Sequence, residues 1–190
     1  MIKHSLRTLG STVLFAVITA ISAGCVYSSD TPDIRGRDVR LTILHTSDIH
    51  SRILSYDYAP MFTEEKLGLI EGRGPYGGLA RIAGVVKRER AKAGRSLWLD
   101  SGDLFEGAPI FNAFRGEAEV RAASLAGIDA MALGNHEFDL RAVNVVDQFT
   151  KFGGFPLLAA NYDFQEGSRD FVNDFSSLID PLVVFNLDGL

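Results

Sequence analysis

Cysteine is almost missing from this 190-residue chain: Cys25 is the only one. That excludes a disulfide framework, so stability has to come from packing or from bound metal. Blocks of like charge are missing too. No stretch of five or six occurs, and the basic run Lys87, Arg88, Arg90 is interrupted by Glu89 and reads as the solvated face of one helix. The net charge is −5, which speaks against a nucleic-acid partner, because phosphate backbones want a basic face. Histidine is scarce: His4, His45, His50 and His136 are all there are. Internal repeats and low-complexity tracts are absent. Glycine, by contrast, is plentiful at nineteen, as suits a chain with many loops or close backbone approaches.

The only long apolar run lies at the N-terminus. Lys3 and Arg7 precede Leu9 to Ala23, which is nearly all apolar or small, and no acidic residue occurs before Asp30. The run is too short for a comfortable membrane span, and the pattern is that of a secretory signal. It ends in ISAGC. The arrangement resembles a bacterial lipoprotein signal, in which small residues precede a cysteine that is cleaved and lipidated; Ser22 stands where Leu is usual, with Ile21 beside it. An ordinary cleaved signal with an incidental cysteine is the other reading. The expected organisation is a signal peptide over 1–25 with lipidation at Cys25, a polar tether over 26–38, and one domain over 39–190.

From Val39 onward the pattern alternates strand and helix. Strands are expected at 40–46, 96–100, 128–133, 156–160 and 181–186. Helices are expected at 79–93, 117–126 and 141–152, each ended by glycine. Residues 51–78 read as a long irregular insertion, and the stretch between the last two strands as a loop. This is an α/β domain with a largely parallel sheet, and such sheets build their sites at the carboxyl ends of the strands.

Those ends carry SDIH, DSGDLFEG, LGNHEFD and AANYD. Asp with His favours first-row divalent metals (Zn, Mn, Fe or Co) over calcium. Asp48 and His50 are i and i+2, so an extended strand end points them to one side. Asp103 follows Gly102, where the chain can turn sharply, and its two oxygens could bridge two ions. Asn135 offers a neutral amide oxygen. Two ions about 3.5–4 Å apart clamp the attacking and leaving oxygens of a phosphoryl displacement and acidify a bridging water. His136, next to Asn135, is better placed to contact a phosphate or protonate a leaving alkoxide. Asp139 is spaced to hydrogen-bond that imidazole if a helix begins there, which favours the protonated ring. Plainer readings stand beside these. GNHEFD also fits a helix N-cap, with Glu137 and Asp139 in the first turn. His45 reads as a buried, satisfied histidine and Asp100 as a turn stabiliser. Phe105, Phe111 and Phe114 read as core or lid aromatics.

LTILHTSDIHSR, YGGLARIAGVV, LWLDSGDLFEGAP, ALGNHEFD and LLAANY together resemble the calcineurin-like metallophosphoesterases, in the branch of 5′-nucleotidases, UDP-sugar hydrolases and 2′,3′-cyclic phosphodiesterases. The likeness runs from about Leu41 to Leu190. It implies a four-layer αββα sandwich and two divalent metal ions (Zn, Mn, Co or similar). It implies Asp48 and His50 as ligands of one ion, Asp103 as the bridge and Asn135 as ligand of the second. His136 is then the transition-state stabiliser or acid, with Asp139 as its partner. Ser47 stands where the branch commonly has Asn, and Arg141 where it commonly has Gly. The family's later strands supply two more metal-binding histidines and a further ligand, followed by a nucleotide-binding domain. No histidine follows His136 here, so the likeness implies an N-terminal fragment or a truncated product holding part of a dinuclear site. The expected activity is metal-dependent hydrolysis of a nucleotide or other small phosphoester, in the periplasm or at the cell surface. A thiosulfohydrolase-like enzyme and an inactive truncated lipoprotein are the alternatives.

Overall fold

The computed structural model describes residues 32–57, 61–69, 74–162 and 169–190. The expected signal peptide and Cys25 lie outside them. The chain divides into two compact units. Met1–Asp33 with Gly189 forms one, nearly all of it outside the described residues; Ile34–Asp188 with Leu190 forms the other, which holds the sheet and its helices. No described helix is long and apolar enough to cross a membrane.

Five strands form one sheet in the order β1 (Thr42–Thr46), β2 (Ser96–Asp100), β3 (Ala130–Ala132), β4 (Leu157–Leu158) and β5 (Ile179–Asp180). Every neighbouring pair is parallel. The helices are α1 (Phe62–Lys66), α2 (Leu79–Arg90), α3 (Pro109–Phe114), α4 (Glu117–Ala126), α5 (Arg141–Phe152) and α6 (Arg169–Leu178). Strands in sequential order joined by right-handed crossovers put their helices on one face. Accordingly α2, α4, α5 and α6 pack side by side in that order.

That face holds the core. In-register side chains alternate between the two faces. Trp98, Met131, Leu157 and Ile179 point to the helices and are buried with Val86, Val120, Ala123, Val145, Phe149 and Phe175. Helix α5 shows why it docks: Ala142, Val145, Val146, Phe149 and Phe152 recur at helical spacing and all join this cluster. Helix α4 ends where Gly127 takes φ 89° and its N–H reaches Ala123 O, a left-handed cap suited to glycine. The opposite face of the sheet is barer. Ile43 is 58% exposed, His45 is exposed, and Leu97 and Leu99 are half-covered. The second sheet implied by the αββα resemblance is not among the described residues, although the α/β class and parallel sheet are as expected.

Three expectations are corrected. His45 lies on the bare face, so alternation does not bury it; its Nε2 lies 2.7 Å from Ser101 Oγ. The stretch before the last strand is helix α6, not loop. Its Asp, Asn and Ser residues are poor helix formers, but Phe175 is buried and packs edge-on against Phe138 at 6.0 Å. Packing outweighs the propensity, and the Ser176 and Ser177 hydroxyls are satisfied by the carbonyls of Asn173 and Asp174. Consequently β5 is Ile179–Asp180, upstream of the expected 181–186. Helices α4 and α5 have the expected bounds, while α2 stops at Arg90 rather than 93.

Candidate metal centre

Beyond their last paired residues, the tips of β1 and β2 stay zipped together. Ser101 N donates to Thr46 O (2.9 Å), Asp48 N to Gly102 O (2.9 Å), His50 N to Asp103 O (3.0 Å) and Ser51 N to Leu104 O (2.8 Å). Within this ladder Asp48, His50, Ser51 and Asp103 all take left-handed φ, between 47° and 56°. Non-glycine residues in that region are uncommon and need a surrounding structure that holds them there. Asp48 and His50 therefore do face one another, but through a turn and not through an extended strand end. Asp48 Oδ1 lies 3.7 Å from His50 Nε2.

The foot of this loop is a small polar knot. Asp100 is buried, with Oδ1 accepting from Gly102 N (2.9 Å) and Oδ2 from Thr46 Oγ1 (2.5 Å). Thr46 Oγ1 in turn accepts from Trp98 Nε1 (2.8 Å). Asp100 is thus the turn stabiliser expected. Burial pushes its carboxyl above the usual range, against the opposing pull of those two hydrogen bonds.

The β3 tip meets the β2 tip almost without clearance. A Cβ on Gly102 would lie 2.3 Å from Gly134 N, and one on Gly134 would lie 2.2 Å from Asp103 Oδ1. Only glycine fits either place, and that closeness brings Asp103 to the third strand's loop, where its Oδ1 accepts from His136 N at 2.9 Å. Gly134→Ala is expected to displace the Asp103 carboxylate and lower divalent-cation affinity roughly 10–100-fold, as when a ligand's support is lost. Equilibrium dialysis against zinc reads this; unchanged affinity would show that Asp103 is not a ligand.

The residue that ties the two loops together is Glu137, which the sequence pattern presents only as a first-turn acid. It is fully buried. Its Oε1 accepts from Leu104 N (2.8 Å) and Phe105 N (3.3 Å), its Oε2 from Gly134 N (2.7 Å) and Asp103 N (3.0 Å). Burial raises its carboxyl above the ordinary range, while the four amide donors draw it back. The N-cap reading of GNHEFD does not hold in its simple form. A short 3₁₀ turn, His136–Phe138, follows Asn135, but Asn135 makes no side-chain capping bond, and Glu137 turns inward. Nothing in the local pattern distinguishes a capping glutamate from one that braces another strand's loop.

His136 projects from that turn. Its Nδ1 lies 2.7 Å from Asp139 Oδ2, and this bond, followed by the charges of Asp139, Asp103 and Glu106, raises the imidazole's pKa. The His50 and His136 rings meet edge-on at 5.0 Å. Donor atoms of His50, Asp103 and His136 all lie within 4.8 Å of one another. That is a nitrogen–oxygen set fit for a first-row divalent ion. Asp48 abuts it through His50, and Asn135 is adjacent in sequence to His136. His136 was expected to act beside the ligands; its ring nitrogen lies close to the His50 and Asp103 donors while its Nδ1 faces Asp139. Arg141, at the position the family commonly gives to glycine, takes φ 69°, so the backbone keeps the left-handed shape without the glycine. At the fourth tip Asp163 lies outside the described residues, but the Tyr162 ring meets that of Phe138 at a tilt, with centroids 5.9 Å apart. Burial, then the charges of Glu137 and Asp103, raises its hydroxyl's pKa.

The aromatics divide. Phe105 and Phe111 are core and pack at 5.5 Å, whereas Phe114 is 52% exposed.

Residues 41–187 match the calcineurin-like phosphoesterase family. The chain is 35% identical over 164 residues to a snake venom 5′-nucleotidase of Gloydius brevicauda, covering 86% of this chain and 26% of that protein. It is 32% identical over 187 residues to a 5′-nucleotidase of Diplobatis ommata, covering 97% of this chain and 28% of the relative. The chain thus spans about a quarter of the length of these relatives. Among solved structures, the 5′-nucleotidase precursor of Thermus thermophilus superposes with a TM-score of 0.64 at 31% identity, over 78% of this chain and 26% of that one. With the family match running through all five strands of the sheet, the chain belongs to the calcineurin-like phosphoesterase family and groups with its 5′-nucleotidase branch.

Proposed function

We propose that this chain carries the first part of the catalytic centre of a secreted, metal-dependent phosphoester hydrolase that acts on nucleotides. The observation that carries the reading is the convergence of His50, Asp103 and His136 donors within 4.8 Å, with Asp139 Oδ2 held 2.7 Å from the Nδ1 of His136. Asp48, His50, Asp103 and Asn135 are the residues that would hold two divalent ions. Such ions supply Lewis acidity at phosphorus and a hydroxide near neutral pH.

The chain's own groups have separate tasks. Glu137 holds the Asp103 loop still. Asp139 orients the imidazole through Nδ1 and favours its charged form, which leaves Nε2 to face the substrate. His136 then stabilises the phosphoryl oxygens or gives its proton to the departing alkoxide. At the other end, residues 1–25 serve as the signal, Cys25 as the lipid attachment and 26–38 as the tether, which places the enzyme in the periplasm or on the cell surface.

The test uses protein purified from its own cells. Nucleoside 5′-monophosphates should be hydrolysed, activity should vanish with chelator and return with Zn, Mn or Co, and Asp103→Asn should abolish it. Cys25→Ser should release the protein from the membrane fraction. Activity that survives chelation would sink the metal mechanism. Preferential turnover of a sulfur ester would move the chain to the thiosulfohydrolase alternative.

A further inference from the structure

The start of the 51–78 insertion has no part in the roles above, yet it is not a loose loop. Tyr56 and Tyr76 exchange backbone hydrogen bonds of 3.0 and 2.7 Å, and Leu79 N donates to Ile53 O at 2.9 Å. Ser51 N is held by Leu104 O at the other end. This segment and the beginning of α3 enclose a cavity of about 260 Å³. Leu54, Pro109 and Ile110 make its lining mostly apolar, and Ser51, Arg52 and Tyr56 line it as well. Ser51 is 2% exposed, and its Oγ has no hydrogen-bond partner among the described residues. A buried hydroxyl left in that state is costly and calls for a partner. Arg52 is exposed at the rim, its guanidinium 4.5 Å over the Tyr56 ring. Stacking uses the face of the guanidinium and leaves its N–H edge to meet an oxyanion.

We propose that this cavity binds a small monocarboxylic acid with a compact apolar body. The Ser51 hydroxyl and the Arg52 guanidinium take the carboxylate, and Leu54, Pro109 and Ile110 cover the body. The hydroxyl has one proton to donate and turns it to suit the acceptor. A phosphate dianion suits the cavity less, because its further oxygens would lose water against apolar walls without gaining donors. A monocarboxylate keeps its single charge beside Arg52. Walls already tied down by backbone hydrogen bonds reduce the ordering that binding requires.

The site does not depend on the phosphoester reading, and its test needs no activity. The whole protein is titrated with phenylacetate in a calorimeter, with phenylacetamide as the neutral counterpart. The acid is expected to bind roughly 10-fold more tightly than the amide, since charge-assisted hydrogen bonds are the stronger ones. Ser51→Ala should weaken binding of the acid by about 10–100-fold, the worth of a hydrogen bond to a charged group. Arg52→Gln should weaken it only a few-fold, as suits an exposed charge. Ile110→Trp should abolish binding by filling the cavity. Ile110 is half-buried on α3, so this variant carries the test if Ser51→Ala, at φ 56°, fails to fold. No saturable binding of phenylacetate to the wild type overturns the site, and so does equal affinity in Ile110→Trp. Equal affinity for acid and amide overturns the carboxylate assignment.

Discussion

Glu137→Gln is expected to destabilise the fold by about 2–4 kcal/mol, because buried donors left unsatisfied cost about 1–3 kcal/mol each. The two carboxylate oxygens accept two amides apiece. A glutamine has one oxygen, so its NH₂ group must point at the other pair of N–H donors. The melting temperature should fall by roughly 5–15 °C, at about 2–4 °C per kcal/mol for a chain of this size. Divalent-cation affinity should fall with it, since Asp103 sits in the braced segment. Thermal melts of the wild type should also slope with pH. The Glu137 carboxyl is raised in the folded state, so its contribution is fully present below the ordinary carboxylate range and is lost as pH rises through the raised value. Asp100, raised by burial as well, acts in the same direction. Glu137→Gln should flatten that slope. A variant that melts with the wild type would mean the four amides find water instead, and the brace would be unnecessary.

His136→Ala is expected to lower kcat by roughly 10²–10⁴-fold, the usual worth of a positioned acid. Asp139→Asn should cost less at low pH and more at high pH. The Asp139 bond raises the His136 pKa, so the acid stays protonated to higher pH in the wild type. Without that carboxylate the imidazole loses its proton earlier, and the alkaline limb of the kcat profile moves to lower pH. A profile of the variant that overlays the wild type would separate Asp139 from the acid function. A His136→Ala enzyme within a few-fold of the wild type would remove His136 from the chemistry altogether.

How far the sequence could be read depended on what each residue answers to. Helices α4 and α5 were legible to the residue because their apolar spacing and their glycine ends are local signals that point the same way. The four strand tips were legible because an open parallel sheet concentrates its polar residues at one end. Helix α6 was not, since its Asp, Asn and Ser composition argues for a loop and only the burial of Phe175 argues otherwise. His45 misled for the complementary reason: alternation says which residues share a face, not which face is covered. Glu106 and Glu137 look alike in the sequence, two acids beside recognisable motifs. Glu137 proved to be fully buried and to accept four backbone amides from two loops, and Glu106 proved to stand beside His136.

By itself, then, the sequence determined the alternation of strands and helices, the absence of disulfides, and the family's Asp, His and Asn residues at successive strand ends. These follow from period, from cysteine number and from chain order, none of which needs a third dimension. The tertiary structure decided how those ends meet. Left-handed turns, and not an extended strand, bring Asp48 to His50. The missing side chains of Gly102 and Gly134 let two loops touch. The carboxylate of Glu137 holds them, because buried amide donors have to be satisfied and it supplies the oxygens that do so.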